Sequence, residues 1–201
     1  MIKLLDILLK ENDGESLLVP RRSPEERKKN YIIATNKKIQ QYIKDGSKGD
    51  LNLNNTPITS LPNNLTVGGS LDLINTPITS LPDSLKVGGS LDLSYTSITS
   101  LPNNLKVGDS LNLSDTSITS LPDNFKVGGY LILRYTPITS LPNNLKVGGG
   151  LNLIYTSITS LPSNLKVDGY LYLHNTPLSK SHTIKQIRQM VPGVKGVIML
   201  K

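Results

Sequence analysis

The sequence predicts an α/β-type repeat solenoid with a parallel β-sheet on one face and an extended or 3₁₀ outer wall, closed by an N-terminal capping helix and a C-terminal helix–strand cap. Three observations lead there. A twenty-residue unit starts at Leu51, Leu71, Leu91, Leu111, Leu131 and Leu151, and a partial copy starts at Leu171. Each unit opens on alternating leucines and closes on a Val-Gly-Gly type of turn. The chain has 201 residues but no Trp and a single Phe, Phe125. A solenoid core one side chain wide needs few aromatics.

Residues 1–22 form an N-terminal segment. Its first eleven residues, MIKLLDILLKE, predict an amphipathic helix with Ile2, Leu5, Leu8 and Leu9 on one face. Residues 23–50 predict the capping helix. Ser23 is placed to cap, Pro24 suits the first turn, and Glu26 completes a capping box. Through about Asp45, this helix places Ile32, Ile39, Tyr42 and Ile43 on one side, and Gly46 stops it.

Residues 51–178 hold the repeats. In the copy LDLSYTSITSLPNNLKVGDS the inward positions are Leu91, Leu93, Thr96, Ile98, Leu101, Leu105 and Val107. One such strand cannot bury its leucines alone, whereas stacked copies about 4.8 Å apart can. The threonine at the sixth position, Thr56 through Thr176, is expected to bond backbone groups of the adjacent turn. The Leu-Pro step forces extended chain and leaves too few residues for an α-helix on the outer wall. The paired glycines suggest positive φ at the turn, with Asp109 and Asp168 as tolerated replacements.

Residues 179–201 predict the second cap. Ser181 starts a short helix carrying Ile184, Ile187 and Met190, which Pro192-Gly193 ends. Val194 to Leu200 then repeats the turn-and-strand pattern, which puts Ile198 and Leu200 in the leucine slots of an eighth strand.

The repeat resembles the bacterial subclass of leucine-rich repeats with a twenty-residue period and a Leu-Pro step, known from secreted effectors. The resemblance covers about 130 residues. It departs at the family's usual asparagine, which is threonine here. It implies a binding scaffold. The Cys-dependent ubiquitin-ligase activity of some such effectors is not implied, because the chain has no Cys. The end of the first segment, Leu9-Lys10-Glu11, resembles the cleavage site of capsid-targeting peptides on internal head proteins of large contractile-tailed bacteriophages. The near-identical repeats also resemble phage-encoded proteins. Together these imply residence in a host cytoplasm or a virion interior, without a secretory signal peptide.

Function is expected on the strand positions between the leucines, where the copies differ. The first four turns offer small polar and acidic groups there. The last three offer Tyr130, Ile132, Arg134, Tyr135, Ile154, Tyr155, Tyr170, Tyr172 and His174. Tyr and Arg are enriched in binding hot spots. These nine residues are the expected contact surface for a protein partner, and Gly150 between Tyr130 and Tyr170 suggests an open slot. A lysine column, Lys86 to Lys166, lies on the outer wall and reads as a solubilising rim partly balanced by Asp83 and Asp123.

The net charge of +7 divides into +3 for residues 1–50, −1 for residues 51–170 and +5 for residues 171–201. The basic excess lies at the ends, so polyanion binding by the termini is a lesser alternative, and nucleic acid is not the expected partner. With two histidines and no cysteine, no metal, cofactor or catalytic constellation is expected. No run is long and apolar enough for a bilayer. A monomer is expected.

Overall fold

The computed structural model describes residues 7–10, 17–20 and 22–201. Ile7–Lys10 and Leu17–Pro20 are antiparallel strands, with Ile7 opposite Pro20 and Lys10 opposite Leu17. This corrects the expected N-terminal helix at these four residues. A short apolar run fits either period, and the second apolar run supplies a pairing partner. Residues 1–6 and 11 of that expected helix lie outside the described residues, as does Glu11 of the cleavage-site resemblance.

Helix α1 spans Pro24–Lys44. Its capping box is complete: Glu26 N donates to Ser23 Oγ at 3.1 Å, and Ser23 N donates to Glu26 Oε2 at 2.9 Å. Asp45 is its C-cap, and Gly46 follows at φ +84°. The face turned to the first repeat carries Thr35 and Ile39, both buried, flanked by half-buried Ile32 and Tyr42. Ile43 is exposed, so it falls off the predicted face. The Tyr42 hydroxyl donates to the carbonyls of Ser47 and Gly49 and accepts from Gly68 N. One side chain thus ties the helix to the first turn and covers leucines that would otherwise face water.

An eight-stranded parallel sheet follows in chain order, from Leu51–Asn52 through Leu171–Tyr172 to Ile198–Met199. Each leucine pairs with the leucine twenty residues on, Leu91 with Leu111 for example. The ladder extends past the strand proper: Leu91 N, Leu93 N and Tyr95 N donate in turn to Ser110 O, Asn112 O and Ser114 O. Inward leucines, isoleucines and valines of every turn form one continuous buried core.

The threonine column is buried, but each hydroxyl donates within its own turn. Thr116 Oγ1 reaches Leu113 O at 2.7 Å, and all seven threonines repeat the bond at 2.6–2.8 Å. The expected bond to the adjacent turn is therefore replaced by closure of the tight turn that ends the strand. The backbone amides on either side are already engaged in the sheet ladder, and the turn's own carbonyl takes the hydroxyl, in several turns together with the threonine's backbone N–H, as at Thr76 and Leu73.

The Val-Gly-Gly glycines do not hold positive φ, contrary to expectation; among glycines of the described residues only Gly46 and Gly49 do. Close approach of successive turns explains them instead. A Cβ at Gly108 would lie 2.0 Å from Gly88 O, which is backbone and has nowhere to go.

The outer wall is extended chain interrupted in each repeat by a tight turn, as where Leu105 N donates to Pro102 O. Its two-residue strands form two three-stranded parallel sheets, one through Lys106–Val107 and the other from Lys126–Val127 onward. Elsewhere the wall is tied by bonds such as Lys106 N to Leu85 O and Lys146 N to Phe125 O. No bond joins Lys126 N to Leu105 O or Gly128 N to Val107 O. Phe125, the one aromatic in a column of leucines, occupies this step.

The C-terminal cap differs in detail from the prediction. Two short helices form, α2 at Pro177–Ser181 and α3 at Ile184–Met190. Thr176, last of the threonine column, caps α2, and Thr183 rather than Ser181 caps α3. Ser181 is spent inside α2, where its Oγ donates to Pro177 O. Ile187 is fully buried, Met190 packs on the core and Ile184 is exposed. The eighth strand forms in the expected register, with Ile198 paired to Leu171 and buried. Among the described residues no helix is long and apolar enough to cross a membrane.

Candidate interaction surface

The open face of the sheet is a half-buried band between two exposed columns. In turns five to seven the band carries Ile132, Arg134, Ile154, Tyr172 and His174, all partly buried. One flank holds Tyr130 and Tyr170, the other Tyr135 and Tyr155, each 41–49 % exposed. The tight turn sets the second flank. Asn55, Asn75, Tyr95, Asp115, Tyr135, Tyr155 and Asn175 all have φ between +53° and +58°. Turns with positive φ at this place favour Gly or Asn, and three copies obey. A bulky side chain there costs of order 1 kcal/mol, yet Tyr95, Tyr135 and Tyr155 adopt it. The asparagines in this column were the sequence signal for a left-handed position.

The tyrosines interact with one another. Tyr135 and Tyr155 stack with ring centroids 4.7 Å apart and planes 11° apart. The Arg134 guanidinium stands 5.4 Å from the Tyr135 centroid, within cation–π reach. Tyr170 and Tyr172 meet at 5.9 Å with rings tilted by 44°. The slot expected at Gly150 is closed. A Cβ there would lie 2.7 Å from Tyr130 Cε1, so the Tyr130 ring lies across the glycine, which is itself buried. Gly150 serves as a seat for that ring.

His174 is committed to the C-terminal cap: its Nε2 contacts Lys201 O, and its Nδ1 is buried without a partner. Arg134 Nε is likewise buried without one. His182 Nδ1 lies 2.8 Å from Ser181 Oγ, but no carboxylate orients the ring among the described residues. Nor is there any cluster of three potential metal ligands among them.

The first four turns differ in chemistry. Their polar groups bond one another: Asn54 Nδ2 donates to Asp72 Oδ2 and Asn112 Nδ2 to Asp92 Oδ2, both at 3.0 Å. Ser94 and Ser114 hydroxyls donate to Asp92 and Asn112. A partner there would displace bonds already made, whereas in turns five to seven it meets uncommitted apolar and aromatic surface.

The lysine column sits on the outer wall, away from this face. Beside it runs an asparagine ladder, with Asn144 Nδ2 donating to Asn124 Oδ1 and Asn164 Nδ2 to Asn144 Oδ1. The expected balancing by Asp83 and Asp123 takes no ion-paired form: among the described residues the one ion pair is Lys195–Asp168, at 2.7 Å.

With repeat, register and caps in place, the architecture is that of a leucine-rich-repeat domain. A solved leucine-rich-repeat domain of a Shigella effector is similar to this chain, with a TM-score of 0.54 and 17 % identity over 87 % of this chain and 94 % of that one. The chain has the leucine-rich-repeat fold. No protein-family model matches the chain. No curated protein matches it either.

Proposed function

We propose that the chain is a non-enzymatic protein-interaction module that binds a protein partner through the C-terminal half of its sheet face. The observation that carries this reading is the tyrosine column: Tyr135 and Tyr155 hold a backbone conformation better suited to asparagine and remain about half exposed. Strain retained where the fold does not need it points to a role outside the fold. Ile132, Ile154, Tyr130, Tyr170 and Tyr172 add apolar area whose rings are stiff, so ordering them on binding costs little entropy.

The test is capture of a partner from candidate host extracts. The control variant combines Tyr130→Ser, Tyr135→Asn, Tyr155→Asn, Tyr170→Ser and Tyr172→Asn, each introducing the residue another turn uses at that place. Loss of a specifically captured protein, with circular dichroism unchanged, supports the reading. Equal capture by both forms rejects this surface.

We further propose that the protein is phage-encoded and acts in the host cytoplasm or the virion interior. Support comes from the likeness of Leu9-Lys10-Glu11 to a head-maturation cleavage site. Mass spectrometry of purified virions should find a chain beginning at Asn12, and absence of the protein from virions would reject packaging.

A further inference from the structure

The outer wall of turns four to six carries an open trough. Asn124 and Lys126 flank the inward Phe125, Asn144 and Lys146 flank Leu145, and Asn164 and Lys166 flank Leu165. Alternation along extended chain sends both flanking side chains outward. Lys126–Val127, Lys146–Val147 and Lys166–Val167 pair in parallel and in register, so like residues line up from turn to turn. Between the two rows lies a cavity of about 420 Å³, lined by these three asparagines and three lysines.

The rows differ in what they already hold. The asparagines bond one another: Asn144 Nδ2 donates to Asn124 Oδ1 at 3.1 Å and Asn164 Nδ2 to Asn144 Oδ1 at 3.0 Å, while Asn164 Oδ1 accepts from Asn144 N. That ladder fixes the asparagine row and still leaves each amide an N–H to donate. The three lysines are exposed and form no ion pair among the described residues. Asp123 forms none with them, and Asp168 is taken by Lys195. Like charges on neighbouring strands, about 4.8 Å apart, repel one another. The fold does not need a cation at this place, because Thr66 fills it in the first turn, paired with Lys86.

A ligand that answers this site is an anion, extended along the trough and rich in oxygen acceptors. Ammonium groups about 4.8 Å apart can share one phosphate group, each about 2.8 Å from a different oxygen. The row of three spans roughly 10 Å, which suits a few linked phosphates better than one. The free asparagine N–H groups supply neutral donors on the opposite wall. A nucleic-acid strand fits less well, because no aromatic side chain lines the trough to stack a base.

We propose that the trough between Asn124, Asn144 and Asn164 and Lys126, Lys146 and Lys166 is a binding site for a linear oligophosphate chain. Lys86 and Lys106 belong to the same column but lie in the other three-stranded sheet of the wall, and they line no part of this cavity. They distinguish a built site from positive charge alone.

The test is titration of the full chain with sodium tripolyphosphate, followed by calorimetry and by the side-chain amide signals of the three asparagines. Those signals are expected to shift saturably, with an affinity about tenfold or more above that for orthophosphate. Lys146→Gln, at the centre of the row, should weaken tripolyphosphate binding about tenfold or more, the loss expected for one charge-assisted bond. Lys86→Gln, three or more strand spacings away, should change it less than about twofold, because salt screens charges at that range. Both positions are exposed and Thr66 stands at the same place, so neither substitution disturbs the fold. Equal losses from Lys86→Gln and Lys146→Gln would show diffuse charge attraction and overturn the site. Orthophosphate bound as tightly as tripolyphosphate would overturn the linear ligand, and tighter binding of a thymidine oligonucleotide of equal charge would put nucleic acid in its place. The trough lies on the wall away from the sheet face, so this proposal and the partner-binding one can each fail alone.

Discussion

Replacing Tyr95 and Tyr135 separately with asparagine separates backbone strain from ring packing. Both residues hold the same left-handed backbone, at φ +58° and +57°, so relief of strain is common to the two variants and cancels in their difference. What remains is side-chain burial and stacking. Tyr95 is 62 % exposed and Tyr135 47 %. On a tyrosine of roughly 200 Å² that difference is about 30 Å², or ~0.8 kcal/mol at 25 cal/mol/Å². Tyr135 also stacks on Tyr155 at 4.7 Å, an arrangement worth about 0.5–1.5 kcal/mol beyond burial. Allowing for residual burial in the unfolded chain, Tyr135→Asn is expected to be about 1–2 kcal/mol less stable than Tyr95→Asn. In a domain of this size that is a gap in Tm of about 3–6 °C. Parallel urea and thermal unfolding of the two variants measures it, and a double-mutant cycle with Tyr155→Asn should assign about half the gap to the ring pair. Equal stabilities would refute the reasoning, since they would mean that the stack contributes nothing and cannot explain why tyrosine persists at a strained position.

Two further predictions concern the scaffold. Gly108→Ala should lower stability by about 1–3 kcal/mol, because its Cβ meets the Gly88 carbonyl at 2.0 Å and two backbones must part; an unchanged unfolding midpoint would show that the turns can slide apart freely. Phe125→Leu should let the outer wall close across its gap, forming the Lys126–Leu105 and Gly128–Val107 bonds, at about 0.5–1.5 kcal/mol each. Slower hydrogen exchange at the Lys126 and Gly128 amides is the measurement, and unchanged exchange would move the cause from Phe125 to Asp109 in the preceding turn.

Much of the scaffold was legible because it is periodic. Leucine alternation, the twenty-residue spacing and the echo at Val194–Leu200 give strands, stacking order and the final strand with its register. Local chemistry gave α1 nearly to the residue, since its cap and stop are encoded within the segment itself. The errors arose where the cause lies between turns. The glycines were assigned positive φ, because one repeat taken alone does not reveal that atoms of the preceding turn lie 2.0–2.8 Å from where their Cβ would be. The slot at Gly150 failed because column order says which residues are neighbours but not which way the Tyr130 ring leans. The threonine bonds went to the wrong turn for a related reason: the adjacent turn's groups are already taken by the ladder, which only the assembled sheet makes evident.

The two halves of the open face follow from one constraint. Every turn must satisfy the same backbone ladder, so variation is confined to the strand positions between the leucines and the left-handed residue after them. In turns one to four those positions carry mainly Asn, Asp and Ser, with Ile74 and Tyr95 as exceptions, and the polar groups bond along the face and leave few free beyond Asp115. In turns five to seven isoleucine and tyrosine break that polar ladder, and some fold stability is given up at φ values that favour asparagine. Stacking within the column recovers part of that cost for Tyr135 and Tyr155. Tyr95 has no ring partner among the described residues, so its retention is the least explained by stability. That asymmetry makes Tyr95 the tyrosine of this column whose replacement should cost the fold least.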